Sequence, residues 1–170
     1  MASGAVVGTI GEISQAAANI ATYDTRQSIT PIAEIVPVID FDDSIIEVID
    51  FYCRLEGYAG GGLTVTFDWS ATSATSGDVR WCVGIRRIED DAEDIDTEHT
   101  YDFNETTDTC ASVSGERSRV SVAFTNGADM DSLANGESFI LRIRRDPSNG
   151  ADTMTGDAEL WYWTVAIKET

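Results

Sequence analysis

The chain has 170 residues, of which 42% are hydrophobic, and its 30 acidic and 11 basic residues give a net charge of −19. The length fits one domain with a hydrophobic core, and the apolar content excludes wholesale disorder. The negative charge opposes binding to nucleic acid or to an anionic membrane surface, and no apolar run approaches the roughly 20 residues of a membrane-spanning helix.

Ten of the 11 basic residues are arginine, and Lys168 is the exception. Arginine pairs with carboxylates in a planar, bidentate geometry that lysine does not match. The excess therefore predicts ordered ion pairs on sheet faces or at subunit contacts. A compositional bias of the genome explains it equally well.

Residues 1–30 differ from the rest of the chain, because they are rich in small residues and isoleucine and carry only Glu12, Asp24 and Arg26 as charged residues. This composition predicts an extended N-terminal arm that orders against a neighbouring subunit or partner. A strand or helix packed on its own domain, or a frayed terminus, is the alternative. The predicted contact residues of the arm are Val6, Val7, Ile10, Ile13, Ile20 and Tyr23.

Residues 31–170 show the period-two alternation of apolar and polar residues that is typical of half-buried strands. Seven or eight such segments occur about 10 to 20 residues apart, with almost no helical pattern. The sequence therefore predicts an all-β domain over residues 31–170, an antiparallel, jelly-roll-like β-sandwich. The segments are 45–55, 63–70, 79–86, 99–106, 120–124, 139–144 and 160–167.

The stretch 62–89, GLTVTFDWSATSATSGDVRWCVGIRRIE, carries the clearest alternation. It predicts two adjacent antiparallel strands whose apolar face, with Phe67, Trp69 and Trp81, covers the core. Asp68 alternates outward. Beside an exposed aromatic ring it would suit a sugar-binding platform, but Trp69 belongs to the inward set and is expected in the core.

The last apolar segment, 160–167, has two apolar faces, with Trp161 and Trp163 on one of them. These two residues are the best candidates for an exposed aromatic patch. Such patches usually mark a protein contact.

The three cysteines, Cys53, Cys82 and Cys110, are widely spaced and do not fit a zinc site. Cys53 and Cys82 fall in strand patterns, which predicts buried thiols and not disulfide partners.

Two acidic stretches, 89–98 and 146–157, have the oxygen density that calcium prefers. Neither has the spacing of a calcium-binding loop, so solvated strand connections are expected, with no bound metal and no cofactor. The residues of the second stretch that could ring a calcium ion are Asp146, Asn149, Asp152 and Asp157.

No residue set points to catalysis. His99 is the single histidine, and the nucleophile, phosphate-binding and metalloprotease motifs are missing from the sequence. We therefore expect a protein that is not an enzyme.

Two blocks, residues 61–88 (GGLTVTFDWSATSATSGDVRWCVGIRRI) and 139–167 (FILRIRRDPSNGADTMTGDAELWYWTVAI), resemble small β-sandwich virion proteins of tailed bacteriophages. The resemblance implies a structural capsid cement or decoration protein on the outer capsid surface of the virion. Such a protein would be a homo-oligomer, a dimer or trimer, bound to the phage major capsid protein. The alternative is a receptor- or carbohydrate-binding module of a tail or head fibre, with loops 70–78 and 146–157 in recognition.

Overall fold

A computed structural model describes residues 5–14, 18–29, 32–97 and 99–170, with the side chains of residues 11–14 outside that description. Over these residues the chain forms ten β-strands and one turn of 3-10 helix, Ala128–Met130. No helix in the described ranges is long and apolar enough to cross a membrane. The strands are β1 Gly8–Ser14, β2 Thr22–Gln27, β3 Ile35–Phe41, β4 Glu47–Leu55, β5 Leu63–Ala71, β6 Asp78–Ile88, β7 Phe103–Thr109, β8 Ser118–Phe124, β9 Ser138–Arg145 and β10 Ala158–Glu169.

The strands pair into two five-stranded sheets. The first sheet has the order β1-β4-β9-β6-β7, and the second has the order β2-β3-β10-β5-β8. Every strand pair within them is antiparallel. The predicted all-β, antiparallel, jelly-roll-like sandwich is therefore confirmed.

The core lies between the two sheets and is built from the inward set of each alternating strand. Ile49, Val122, Leu141 and Leu160, which belong to four of the predicted segments, are all buried there. The burial of the two tryptophans predicted in the core, Trp69 and Trp81, is confirmed as well; both are fully buried.

The prediction that residues 62–89 form two adjacent strands is wrong. Strand β5 lies between β10 and β8 in the second sheet, whereas β6 lies between β9 and β7 in the first. The connection 72–77 crosses from one sheet to the other, so the two apolar faces meet across the core. Trp81 contacts Phe67 and Trp69 edge-on, with ring centroids 5.3 and 5.7 Å apart. Aromatic packing between the sheets thus replaces the expected hydrogen bonding within one sheet.

The described part of residues 1–30 is extended, and it runs along the edges of both sheets. Strand β1 pairs with β4, and β2 pairs with β3. The Val7 amide donates to the Ile167 carbonyl at 3.0 Å, and the Val7 side chain is buried. The described part of the segment therefore packs as strands on its own domain, as in the alternative to a partner-binding arm. A contact with a neighbouring subunit stays a prediction.

The three cysteines are buried and free. The predicted burial of Cys53 and Cys82 is confirmed, and burial raises the pKa of Cys53 to about 12. Because the thiolate is the reactive form, Cys53 is a packing residue at neutral pH.

Candidate functional site

A row of three side chains crosses the outer face of the second sheet. Strand pairing sets Trp161 of β10 directly opposite Asp68 of β5, and Asp68 directly opposite Arg119 of β8. The chain neighbours Leu160, Phe67 and Val120 point into the core. Because alternate residues of a strand point to opposite faces, the row faces outward.

A bulge in β10 adds Trp163 to this row. The pairing of β10 with β5 is interrupted between Trp161 and Ala166. A bulge of this kind redirects side chains. Here both indoles lie on one face, stacked with centroids 5.8 Å apart and an interplanar angle of 23°. Trp163 is 57% exposed, which is unusual for so large an apolar side chain.

Hydrogen bonds hold this aromatic pair in place. The Thr164 hydroxyl accepts from the Asp68 amide at 2.8 Å and donates to the Trp161 carbonyl at 2.7 Å, which fixes the bulge. The Trp161 indole N–H donates to the Ser70 hydroxyl at 3.0 Å. The aromatic surface is therefore ordered before any ligand arrives.

Two arginines converge on the buried Asp68 carboxylate. Arg119 donates to both carboxylate oxygens at 2.7 and 3.1 Å, and Arg117 donates to one at 3.3 Å. The hydrogen bond from Arg119 is the main cause that lowers the pKa of Asp68, so the carboxylate stays ionised at neutral pH. The guanidinium groups are held against Asp68, the residue opposite Trp161, while their side chains remain more than half exposed. We call Trp161, Trp163, Asp68, Arg117 and Arg119 the aromatic row.

The outer face of the first sheet is covered in its centre by the chain itself. Tyr101 lies against Gly84, where an added Cβ would approach the Tyr101 ring to 3.0 Å. The Arg142 guanidinium stacks 4.3 Å from the Tyr101 ring centroid, and Arg144 stacks 4.0 Å from that of Phe103. These rings are already stacked by the protein's own cations. In the aromatic row, by contrast, the Trp163 ring is exposed.

The residues predicted as partner contacts lie in different environments in the structure. Val7 is buried and Ile10 packs against the core, so Val7 is corrected from a surface contact to a core residue. Val6 is exposed and bridges to Lys168, and Ile20 bridges to Val48. Ile13 pairs with Phe51 through the backbone of β1, and its side chain lies outside the described set.

One predicted N-terminal contact, Tyr23, touches the strand that carries the predicted tryptophans. Its ring packs edge-on against Tyr162, the residue between Trp161 and Trp163, with centroids 6.1 Å apart. The two tryptophans themselves lie together on one face, where the sequence placed them. Their contact with a protein partner stays a prediction.

The four calcium candidates do not converge on one point. The Asp152 carboxylate is held by Arg145 at 3.0 and 2.9 Å and accepts from the Arg80 amide at 3.0 Å. Asn149 accepts from the Ala151 amide, and Asp146 accepts from the Ser148 hydroxyl. Burial raises the pKa of Asp157. Among the described residues no three acidic, cysteine or histidine side chains group as a metal site.

Sequence reasoning missed Arg117 and Arg119. The alternation places Arg119 outward, but its meeting with Asp68 depends on the pairing of β5 with β8, which is set by three-dimensional packing. The signal in the sequence was the excess of arginine over lysine, which predicts ordered ion pairs with carboxylates. Each of the ten arginines lies within 4.0 Å of a carboxylate.

Asp40 occupies the next row of the same sheet, directly opposite Glu159. Burial is the main cause that raises the pKa of Asp40 to about 7, with the carboxylates of Asp157 and Glu159 adding to it. Its buried Oδ1 has no hydrogen-bond partner among the described residues. Between about pH 4 and pH 7, the Asp40 carboxyl group is therefore protonated in the folded state and ionised in the unfolded state.

Replacing Asp40 with asparagine is expected to flatten the pH dependence of stability. Since the folded pKa is above the unfolded value of 3.8, the wild type loses stability as pH rises from about 4 to 7, and the loss persists above 7. Asp40 is half-buried, so solvent screening reduces the effect. At pH 8 we expect Asp40→Asn to raise the Tm by about 2–4 °C, which corresponds to about 1 kcal/mol. Parallel Tm profiles of the two proteins between pH 5 and 8, followed by circular dichroism, would contradict it.

No protein-family model and no curated protein matches the sequence. Among solved structures, a putative sugar binding protein from Bacteroides thetaiotaomicron matches with a TM-score of 0.52 and 13% identity, over 95% of this chain and 89% of that one. A xylan-binding domain from Paenibacillus barcinonensis matches at 0.48 and 8%, over 98% and 96%. A family 11 carbohydrate-binding module from Clostridium thermocellum, solved with a mixed-linked tetrasaccharide, matches at 0.44 and 9%, over 97% and 96%.

At these identities the likeness shows the fold, a β-sandwich of the jelly-roll type. The interpretation as a capsid cement protein is corrected, because the match with a TM-score above 0.5 is a putative sugar binding protein and not a virion protein. The correction favours the alternative of a carbohydrate-binding module. The phage resemblance, the major capsid protein as partner, the virion location and the dimer or trimer stay predictions that no observation tests.

Proposed function

We propose that the chain is a carbohydrate-binding module that holds a glycan on the aromatic row. The observation that carries the proposal is the stacked pair of Trp161 and Trp163, of which Trp161 is partly buried and Trp163 is exposed, on the same sheet face as the Asp68–Arg119 ion pair. Function is argued from this site, because one fold hosts many functions.

The chemistry of a sugar ring matches both parts of the row. A pyranose has flat patches of C–H groups, which lose their water when they stack on an indole face. Its hydroxyl groups need hydrogen-bond partners at the ring edge, and charged groups make the stronger ones. Arg117 and Arg119 supply donors there, and the buried Asp68 carboxylate fixes their positions.

The pre-ordered geometry favours binding over catalysis. Both oxygens of Asp68 already accept hydrogen bonds from arginine, and its pKa is lowered. A carboxyl group in this state is a poor general acid, since such an acid needs a raised pKa to carry its proton at neutral pH. We therefore propose a module without catalytic activity. The fold shared with the Bacteroides sugar binding protein supports the proposal.

The test is a survey of soluble polysaccharides by affinity gel electrophoresis with the full chain. We expect retarded migration in at least one plant or bacterial polysaccharide, and no change in the reducing ends of that polymer after long incubation. Unretarded migration across neutral and acidic polymers alike would overturn the proposal.

A further inference from the structure

Arg117 and Arg119 stand apart from most other arginines of the chain. Their side chains are 52% and 60% exposed, yet they share a single carboxylate, that of Asp68. Among the ten arginines, all of which the structure describes, Arg54 is the one other more than half exposed, at 58%, and it has Glu56 to itself. Two cations per anion leave a local positive excess in a chain of net charge −19.

Much of the donor capacity of these two guanidinium groups is unused. Each guanidinium carries five N–H donors. Arg119 spends Nε and one terminal nitrogen on Asp68, and Arg117 spends one terminal nitrogen. Neither side chain makes another hydrogen bond to the described residues, so each retains a terminal nitrogen for a ligand.

The charges around the pair do not cancel this excess. In the next row, Glu159 accepts from the Ser70 hydroxyl and is paired with Arg26, which also donates to the Ala71 carbonyl at 3.0 Å. That pair is neutral overall, and burial raises the pKa of Asp40, the carboxylate opposite Glu159, to about 7, so that Asp40 is only partly ionised at neutral pH. Asp68 is the carboxylate directly opposite Arg119 in the sheet.

The distance from the cations to the aromatic surface suits one substituted ring. Asp68 lies directly opposite Trp161, and Arg119 holds the Asp68 carboxylate. Because β5 lies between β10 and β8, the backbones of Trp161 and Arg119 are two strand spacings apart, about 10 Å, and the Arg119 guanidinium reaches back to the carboxylate between them. A sugar stacked on the indoles would present an equatorial substituent to the guanidinium groups.

We infer that the aromatic row selects glycans whose rings carry carboxylates, that is, polymers containing uronic acids. The inference rests on the proposed function and specifies its ligand. Arginine binds carboxylates in a planar, bidentate geometry and stays charged at every physiological pH. Elsewhere the net negative chain repels such a polymer, so these two side chains determine whether it binds.

The test compares uronate polymers with their own neutral counterparts. Glucuronoxylan, polygalacturonate and alginate are each used as such and after carbodiimide activation and borohydride reduction, which converts the carboxyl group to a hydroxymethyl group. We expect the full chain to bind at least one native polymer about tenfold more tightly than its reduced form, the size typical of a charge-assisted hydrogen bond.

Arg117→Gln alone and Arg117→Gln with Arg119→Gln are expected to remove that preference. The single variant keeps the Arg119–Asp68 pair and so keeps the fold. Arg54→Gln, equally exposed and on the other sheet, is the matched control and should keep the tenfold preference. Equal affinity for native and reduced polymers, or a preference that survives both glutamine variants, overturns the inference.

The two proposals fail in different ways. Binding to reduced or neutral polymers without any preference for carboxylates overturns the inference and leaves the proposed function standing. Failure to bind any polymer, native or reduced, overturns both.

Discussion

Replacing Trp163 with alanine is expected to weaken glycan binding about 30-fold, equivalent to about 2 kcal/mol, which is the lower limit for an interface hot spot. The indole supplies most of the exposed stacking surface, and the neighbouring Trp161 ring is partly covered by it. Affinity is measured by isothermal titration calorimetry with the best polysaccharide ligand. Because Trp163 is 57% exposed, its removal leaves no core cavity, and the Tm should stay within about 2 °C.

Two variants control this result. Trp163→Phe keeps a flat ring and should retain part of the affinity. Tyr52→Ala removes an exposed aromatic side chain from β4 of the first sheet and should leave the affinity unchanged. An unchanged affinity of Trp163→Ala, or an equal loss in Tyr52→Ala, would contradict the assignment of the site.

Replacing Arg145 with methionine is expected to destabilise the fold by about 3–5 kcal/mol, the cost of breaking a buried ion pair. Arg145 is fully buried and donates to both oxygens of Asp152, which is itself almost fully buried. It also donates to the carbonyls of Gly156 and Met154, both at 2.8 Å. Methionine fills the space but leaves the Asp152 charge and these carbonyls without their partner.

The measurement is urea unfolding, with the free energy extrapolated to water. The matched control is Arg54→Met, which breaks an exposed pair with Glu56 and should cost less than about 1 kcal/mol. Since a domain of this kind has about 5–15 kcal/mol of total stability, Arg145→Met could leave only a small margin. Equal losses in the two variants would show that the buried pair does not hold the 146–157 loop.

Much of the fold follows from local sequence. Alternation alone identifies the core residues of β5 and β6, because burial of Trp69 and Trp81 depends only on which face each residue occupies. Strand pairing does not follow in the same way. The polar connection 72–77 fits a hairpin or a crossover between sheets equally well, and the choice is made by packing of Trp81 against Phe67 and Trp69.

The N-terminal segment shows the same limit. Its low charge and small residues predict an extended segment, which the described residues form. Its position on the sheet edges comes from backbone hydrogen bonds, such as that of Val7 to Ile167, to which side-chain patterns contribute little.

Only the aromatic part of the candidate site could be predicted from the sequence. Two apolar faces in the last strand indicate an exposed pair of tryptophans, and Trp161 and Trp163 do lie together. The polar half could not be predicted, because Arg119 and Asp68 are 51 residues apart and meet through strand pairing. The two blocks that resemble phage proteins consist largely of core strands and of the loop held by Arg145. They specify a sandwich, and they carry little information on its ligand.

The central claim, that a glycan binds on the aromatic row, is tested most directly by NMR of the indole N–H groups. The chain has four tryptophans: Trp69 and Trp81 are fully buried, and Trp161 and Trp163 are on the outer face. Titration of the ¹⁵N-labelled protein with a bound oligosaccharide should shift the Trp163 and Trp161 indole signals and leave those of Trp69 and Trp81 in place. Saturable binding that leaves the Trp163 signal unmoved would contradict the account.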